Sequence, residues 1–194
     1  MYVYIDSNVI VSSEIKSESN YAESSKFMEF AERIHARFPD VKFVTSVFTF
    51  LELASAMIRR TQNEDKTLSL LYRVTTMWES WIKPVAPLAP GKRTSFKRLI
   101  DSLIGTAIKF HTPAADTIHA QTVYLYDFDY LVTWNKADFQ GMTKVMRKLT
   151  IVTPAEMYEQ LRDLVRERTG RPLPHRAKVA VRHAFPNATS SLKP

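Results

Sequence analysis

Cysteine is absent from the 194 residues, which excludes disulfides, thiolate metal sites and a cysteine nucleophile. Glycine occurs only four times, too rarely for a phosphate-cradling loop of the P-loop or dinucleotide-binding kind. There is no Gly-x-Ser-x-Gly segment to carry a serine hydrolase elbow. No apolar run approaches the roughly 20 residues of a bilayer-spanning helix. The N-terminus has no basic segment followed by an apolar stretch and a cleavage site. We therefore expect a cytoplasmic protein without a membrane segment.

Charge is present but unevenly distributed. Residues 141–194 hold 11 Lys and Arg against 4 Asp and Glu, whereas the first 140 residues hold 16 of each. The whole excess of +7 belongs to the C-terminal quarter. Such asymmetry favours a polyanionic partner such as RNA or DNA, or an acidic protein.

Hydrophobic periodicity divides the chain into short strands and longer helices. Residues 2–5 read as a buried strand, and 41–44, 130–133 and 149–152 as three more. Helices are expected over 24–38, from Thr45-Ser46 onward, and over 64–82, 94–110, 113–126 and 154–169. In the second of these, Val47, Phe50, Leu51, Ala54, Met57 and Ile58 make one apolar stripe, and Glu52 lies off it. Leu68, Leu71, Tyr72, Thr75 and Trp78 or Trp81 are expected to face inward from the next. Pro84, Pro87 and Pro90-Gly91 suggest an extended connector. Thr153-Pro154-Ala155-Glu156 is a capping box, and Gly170 a stop. Strands separated by helices predict an α/β protein: a three-layer α/β/α arrangement around a parallel sheet of about four to five short strands. The division expected is a domain over 1–168 and a basic, proline-containing tail over 169–194.

Four acidic residues stand beside these elements. Asp6 closes the first strand, Glu52 sits in the helix after the second, Asp116 lies in the first turn after Thr112-Pro113, and Asp138 follows the strand at 130–133. A carboxylate at the end of a buried strand is costly unless paired or bound to a cation. Converging carboxylates repel, and a hard divalent ion such as Mg²⁺ or Mn²⁺ relieves that repulsion through oxygen ligands. Asp101 opens a stretch similar to that around Asp116, but lies too far in sequence from Thr133 to be preferred. His119, three residues beyond Asp116, reads as a packed or hydrogen-bonded neighbour rather than a catalytic group.

The segment Tyr4-Ile5-Asp6-Ser7-Asn8-Val9-Ile10 resembles the opening motif of the PIN-domain nucleases, which include the VapC ribonuclease toxins; Ser7 stands where that family usually has threonine. Glu52, the Ala-Ala-Asp-Thr-Ile-His-Ala around Asp116, and Thr-Trp-Asn-Lys-Ala-Asp-Phe ending in Asp138 and Phe139 follow in the same order, over residues 1 to about 155. The resemblance implies a PIN-like fold and a metal-dependent endoribonuclease. Asp6, Glu52, Asp116 and Asp138 would be both catalytic residues and ligands of one or two Mg²⁺ or Mn²⁺ ions. Hydrolysis would leave 5′-phosphate and 3′-hydroxyl ends. Ser7 and Asn135 would orient the carboxylates or the scissile phosphate. Lys136, Arg147 and Lys148, with Lys92, Arg93, Lys97, Arg98 and Lys144, would track the RNA backbone, and Trp134 would stack on a base. If the chain is a toxin, an antitoxin protein and homodimerisation through helices are implied as well. Two rivals come from other readings: a non-catalytic scaffold binding RNA or protein, and a haloacid dehalogenase-type phosphatase. The second needs an aspartate where this chain has Asn8.

Overall fold

Side chains alternate across Tyr2–Ile5 (β1), so that Val3 and Ile5 face one hydrophobic cluster and Tyr4 faces another. That strand is the centre of a five-stranded, all-parallel sheet in the order β3-β2-β1-β4-β5. The computed structural model describes residues 1–78, 80–88 and 95–170. In chain order β1 is followed by α1 (Ser7–Glu14), α2 (Tyr21–Arg37), β2 (Lys42–Ser46), α3 (Thr49–Thr61) and α4 (Glu64–Trp78). Then come β3 (Ile82–Val85), α5 (Phe96–Phe110), α6 (Ala114–Tyr126), β4 (Tyr130–Val132), α7 (Lys136–Thr143), β5 (Thr150–Val152) and α8 (Pro154–Thr169). The three-layer α/β/α expectation holds. The tail beyond 170, including its separation as an appendage, lies outside the described residues, as do Pro90-Gly91 and Lys92-Arg93.

One layer is built from α1, α2, α3 and α8, whose Val9, Ile10, Phe27, Ile34, Leu53 and Leu161 pack on Val3, Ile5 and Phe43. The other is built from α5, α6 and α7, whose Phe110, Val123, Phe139 and Met142 pack on Tyr4, Val44 and Leu131. Both faces of the sheet are thus covered, the usual condition of a parallel sheet. No described helix is long and apolar enough to cross a membrane.

Several local expectations change. β3 is a fifth strand where a connector was expected: Pro84 is accepted because β3 pairs only with β2, at the edge of the sheet. Thr45 and Ser46 finish β2 rather than capping α3, which starts three residues later behind Phe48. The Thr45 hydroxyl instead bonds Thr49 Oγ1 at 2.8 Å and the Ile5 carbonyl at 2.8 Å. The inward face of α3 is Thr49, Leu53 and Met57, leaving Val47, Leu51 and Ile58 exposed. On α4, Thr67 and Val74 are buried, Leu71 and Thr75 are half-buried, and Leu68 and Tyr72 are exposed. The capping box at Thr153 and Glu156 forms in both directions, and Gly170 ends α8 at φ 63°.

Candidate functional site

The strand order reverses at β1: β2 and β3 lie on one side of it, β4 and β5 on the other. Loops leaving the carboxyl ends of β1 and β4 therefore diverge to opposite layers and open a crevice, where α/β sheets commonly bind ligands. Asp6 leaves β1 directly into this place, and Thr133 leaves β4 beside it, with the Asp6 amide bonded to the Val132 carbonyl at 3.0 Å.

Asp6 is 1% exposed, yet both of its oxygens are served. Thr133 Oγ1 donates to Oδ2 at 2.7 Å, and the His119 ring lies 3.8 Å from Oδ1. Ser7 makes a long contact to Oδ1 at 3.4 Å and sits 3.5 Å from His119 Nε2, between the two groups. Thr133 is itself fixed, accepting hydrogen bonds from Asn8 Nδ2 at 3.1 Å and from the Asn135 amide at 3.0 Å. Asn8 Oδ1 in turn accepts the Trp134 amide at 3.3 Å. Asn8 and Thr133 thus tie the end of β1 to the end of β4, a positioning role that sequence reading missed although both residues stand inside its motifs.

Glu52 is presented by the first turn of α3, on the border of the buried Thr49–Leu53 face. His119 Nε2 lies 2.9 Å from Oε2, and its Nδ1 lies 2.6 Å from the Tyr4 hydroxyl. His119 is 1% exposed, and burial by itself disfavours its charge. The Asp6 carboxylate, the hydrogen bond to Glu52 and the charges of Glu52 and Asp116 outweigh burial and raise its pKa above the ordinary histidine value. The reciprocal effect holds at Glu52: burial pushes its carboxyl up, but the hydrogen bond and charge of His119 bring it below the usual range. Burial, then the Asp6 and Glu52 charges, push the Tyr4 phenol well up, so it stays protonated. His119 is therefore a buried, hydrogen-bonded neighbour standing between two carboxylates, with a proton affinity raised by both. Its spacing from Asp116, one helical turn, was the available signal.

Asp116 stands in the first turn of α6, where the helix dipole favours a negative charge. Its pKa is nevertheless raised to about 6, first by burial, then by the Asp6 and Asp138 charges, with His119 opposing and Glu52 adding. All four predicted acids therefore share one electrostatic environment, brought from α1's start, α3, α6 and α7. Asp138 is half-buried in the first turn of α7, its amide bonded to the Asn135 carbonyl at 3.1 Å. Asn135 occupies the cap of α7 with an exposed side chain that makes no capping bond. Asp101 is exposed on α5 and pairs with Lys97 at 2.7 Å, far from these roles.

The donors suit a hard divalent cation, being carboxylate oxygens with no sulfur among them. Among the described residues, no three His, Asp or Glu side chains stand as a group that could hold a metal ion. Of the expected RNA contacts, Lys144, Arg147 and Lys148 are exposed, whereas Lys136 is paired with Glu156 at 2.9 Å. Trp134 is packed against the first core cluster and donates its indole N–H to Ser24 at 3.0 Å and Ser12 at 3.2 Å. That geometry gives the half-buried ring a structural duty. No family model matches the chain, and no curated protein matches it in sequence.

Proposed function

We propose that this protein is a metal-dependent endoribonuclease acting at the crevice between β1 and β4. The observation that carries this reading is the convergence of Asp6, Glu52, Asp116 and Asp138, scattered over 132 positions of sequence, strongly enough that the other three all raise the proton affinity of Asp116. Concentrating four carboxylates costs stability, and a fold has no need to bear that cost unless something positive is to be bound.

Asp6, Glu52, Asp116 and Asp138 would hold Mg²⁺ or Mn²⁺, which when bound supplies charge stabilisation on the phosphoryl group and acidifies water. Thr133 and Asn8 keep Asp6 in one orientation. His119, donating to Glu52, holds that side chain toward the crevice. Asn135 and Ser7 flank the carboxylates within reach of a phosphate. The exposed Lys144, Arg147 and Lys148 after α7, and the arginines of the tail sequence, supply the positive charge an RNA backbone requires. An antitoxin partner, as the PIN resemblance implies, is kept as part of this proposal. So is a homodimer, for which the exposed row Phe96, Ile100, Ile104 and Ile108 along α5 offers an apolar surface.

A second reading is favoured by one observation: the His119 ring stands against both Asp6 and Glu52, so these acids are partly satisfied without a metal. That arrangement would suit a non-catalytic scaffold. Cleavage of single-stranded and structured RNA with Mn²⁺ or Mg²⁺, beside EDTA and Asp6→Asn controls, separates the two. We expect cutting that both controls abolish; cutting unchanged in Asp6→Asn, or none at all, leaves the scaffold.

A further inference from the structure

Away from the acidic crevice, at the amino-terminal ends of the strands, lies a cavity of about 430 Å³. Tyr2, Lys42, Val44, Trp81, Lys83 and Pro84 are among its walls. Its volume falls in the range of small-molecule sites, roughly 300–1,000 Å³. The sheet register explains how its polar groups meet. Tyr2 pairs with Lys42, and Val44 pairs with Lys83, so strand alternation sends Tyr2, Lys42, Val44 and Lys83 to the same face. Lys42 and Lys83 are diagonal neighbours on adjacent strands, a placement in which like charges repel.

Neither ammonium group has an ion-pair partner among the described residues. The nearby acids are committed elsewhere: Asp40 is bidentate to Arg168 at 2.8 Å, and Asp129 accepts the Tyr2 amide at 2.7 Å. Two uncompensated lysines held side by side in a cavity are a seat for an anion with at least two acceptor oxygens, such as a phosphate group. One aromatic ring adds a second requirement. Tyr2 is 53% exposed and offers a ring face beside Lys42, whereas Trp81 is buried against Phe43 at 5.6 Å on the other face of the sheet and only closes the end of the cavity. An exposed ring beside paired cations matches a ligand with a planar base and a phosphate.

We propose that this cavity binds a nucleotide unit, its phosphate between Lys42 and Lys83 and its base against Tyr2. The pocket is separated from the acidic crevice by the length of the strands, roughly 13 Å for four residues at about 3.3 Å each. Occupation of one site therefore does not require the other.

The test is a titration of the full chain in EDTA, followed by amide chemical shifts, with adenosine 5′-monophosphate as the probe. Saturable shifts are expected at Tyr2, Lys42, Val44 and Lys83, unchanged in Asp6→Asn protein. Lys42→Gln with Lys83→Gln should weaken binding at least about tenfold, since two charge-assisted bonds are lost. The remainder of the spectrum reports whether the variant is folded. Adenosine alone and inorganic phosphate alone should each bind more weakly than the nucleotide. Triadenylate binding more tightly than the mononucleotide would support the site as a station for an RNA strand, and equal affinity would support a free nucleotide. No saturable shift up to about 10 mM nucleotide, weaker than millimolar affinity, would overturn the proposal. So would full affinity in the double lysine variant, or phosphate alone binding as well as the nucleotide. Loss of RNA cleavage with intact nucleotide binding would sink only the catalytic reading.

Discussion

Two glycines in helices predict opposite outcomes for the same substitution. Gly105 lies in the middle of α5, and a Cβ built there meets nothing within 4 Å. Gly141 lies in α7, and a Cβ built there would fall 2.0 Å from the Phe110 carbonyl oxygen and 2.8 Å from its carbon. In helical propensity alone, either glycine replaced by alanine gains about 0.8–1 kcal/mol. At Gly105 nothing opposes that gain, so Gly105→Ala should stabilise the protein by about that amount. At Gly141 the obstacle is backbone at the end of α5, which cannot swing aside as a side chain would. Overpacking of that kind costs typically about 1–3 kcal/mol and sometimes more. With the contact this short the upper end applies, and a net loss of about 2 kcal/mol survives the propensity gain.

The consequence extends to the crevice. Gly141 lets α7 lie against the end of α5, and these helices flank Asp138 and, through the turn at His111 to Pro113, Asp116. Separating them should disturb both acids, so Gly141→Ala should also lower metal affinity or RNA cleavage beyond its effect on folding. Urea unfolding at 25 °C measures the stability change, and Gly105→Ala serves as the matched control. Equal stabilisation by both alanines would refute the close α5–α7 approach.

Three further outcomes follow from the site. The Asp116 carboxyl, raised to about 6 against roughly 3.9 in an unfolded chain, binds a proton more tightly when folded, so its ionisation costs stability as pH rises from about 4 through 6. After discounting for its partial exposure, Asp116→Asn should stabilise the metal-free protein by about 1–2 kcal/mol at pH 8 and change little below pH 4, as urea unfolding in EDTA would show. His119→Gln should destabilise by about 2–3 kcal/mol, because it strips a buried counter-charge from Asp6 and Glu52. The folded pKa of His119 is raised, so its stabilisation is complete below about pH 6.5 and fades as pH climbs through the folded value; the gap to His119→Gln should narrow in alkaline urea titrations. Trp134→Phe should cost about 1 kcal/mol by removing the half-buried indole's N–H donor from Ser12 and Ser24, which stay bonded to each other at 2.6 Å, while RNA affinity measured by filter binding stays at the wild-type value.

The sheet was legible because its central strands are short, β-branched and bounded by helices whose caps are explicit, as at Thr153. Elements whose composition contradicts their state were not. α1 begins Ser-Asn-Val-Ile-Val, a run that by propensity extends the preceding strand, and it becomes helix because Val9 and Ile10 are buried against α2 and α3. α7 carries a glycine in its interior, which by propensity argues for a loop, yet that glycine is what the Phe110 backbone demands. β3 contains a proline that only an edge position tolerates. On α3 and α4, apolar residues outnumber the buried places, so periodicity could not choose between the Leu53–Met57 face and the Leu51–Ile58 face. On α5 the two rows were both visible; the row of Leu99, Leu103 and Ala107 packs inward, and the isoleucine row stays exposed.

The four acids could be picked out because each ends or begins an element, but their charge balance could not, since it depends on one histidine reaching across the sheet. His119 stands against Asp6 and Glu52, and the phenol of Tyr4, rising from the sheet below, holds its other nitrogen. The site is therefore lopsided. On the α3 side, two carboxylates share the His119 ring. On the α6 and α7 side, Asp116 and Asp138 have no ion-pair partner among the described residues, and burial first, then the Asp6 and Asp138 charges, raises the proton affinity of Asp116. A divalent ion attracted to the proposed nuclease site would gain most beside Asp116 and Asp138, and would have to compete with His119 only when engaging Glu52. Removing His119 should then tighten metal binding at the Glu52 side even as it weakens the fold, so that Mn²⁺ recovers more stability in His119→Gln than in the wild-type protein.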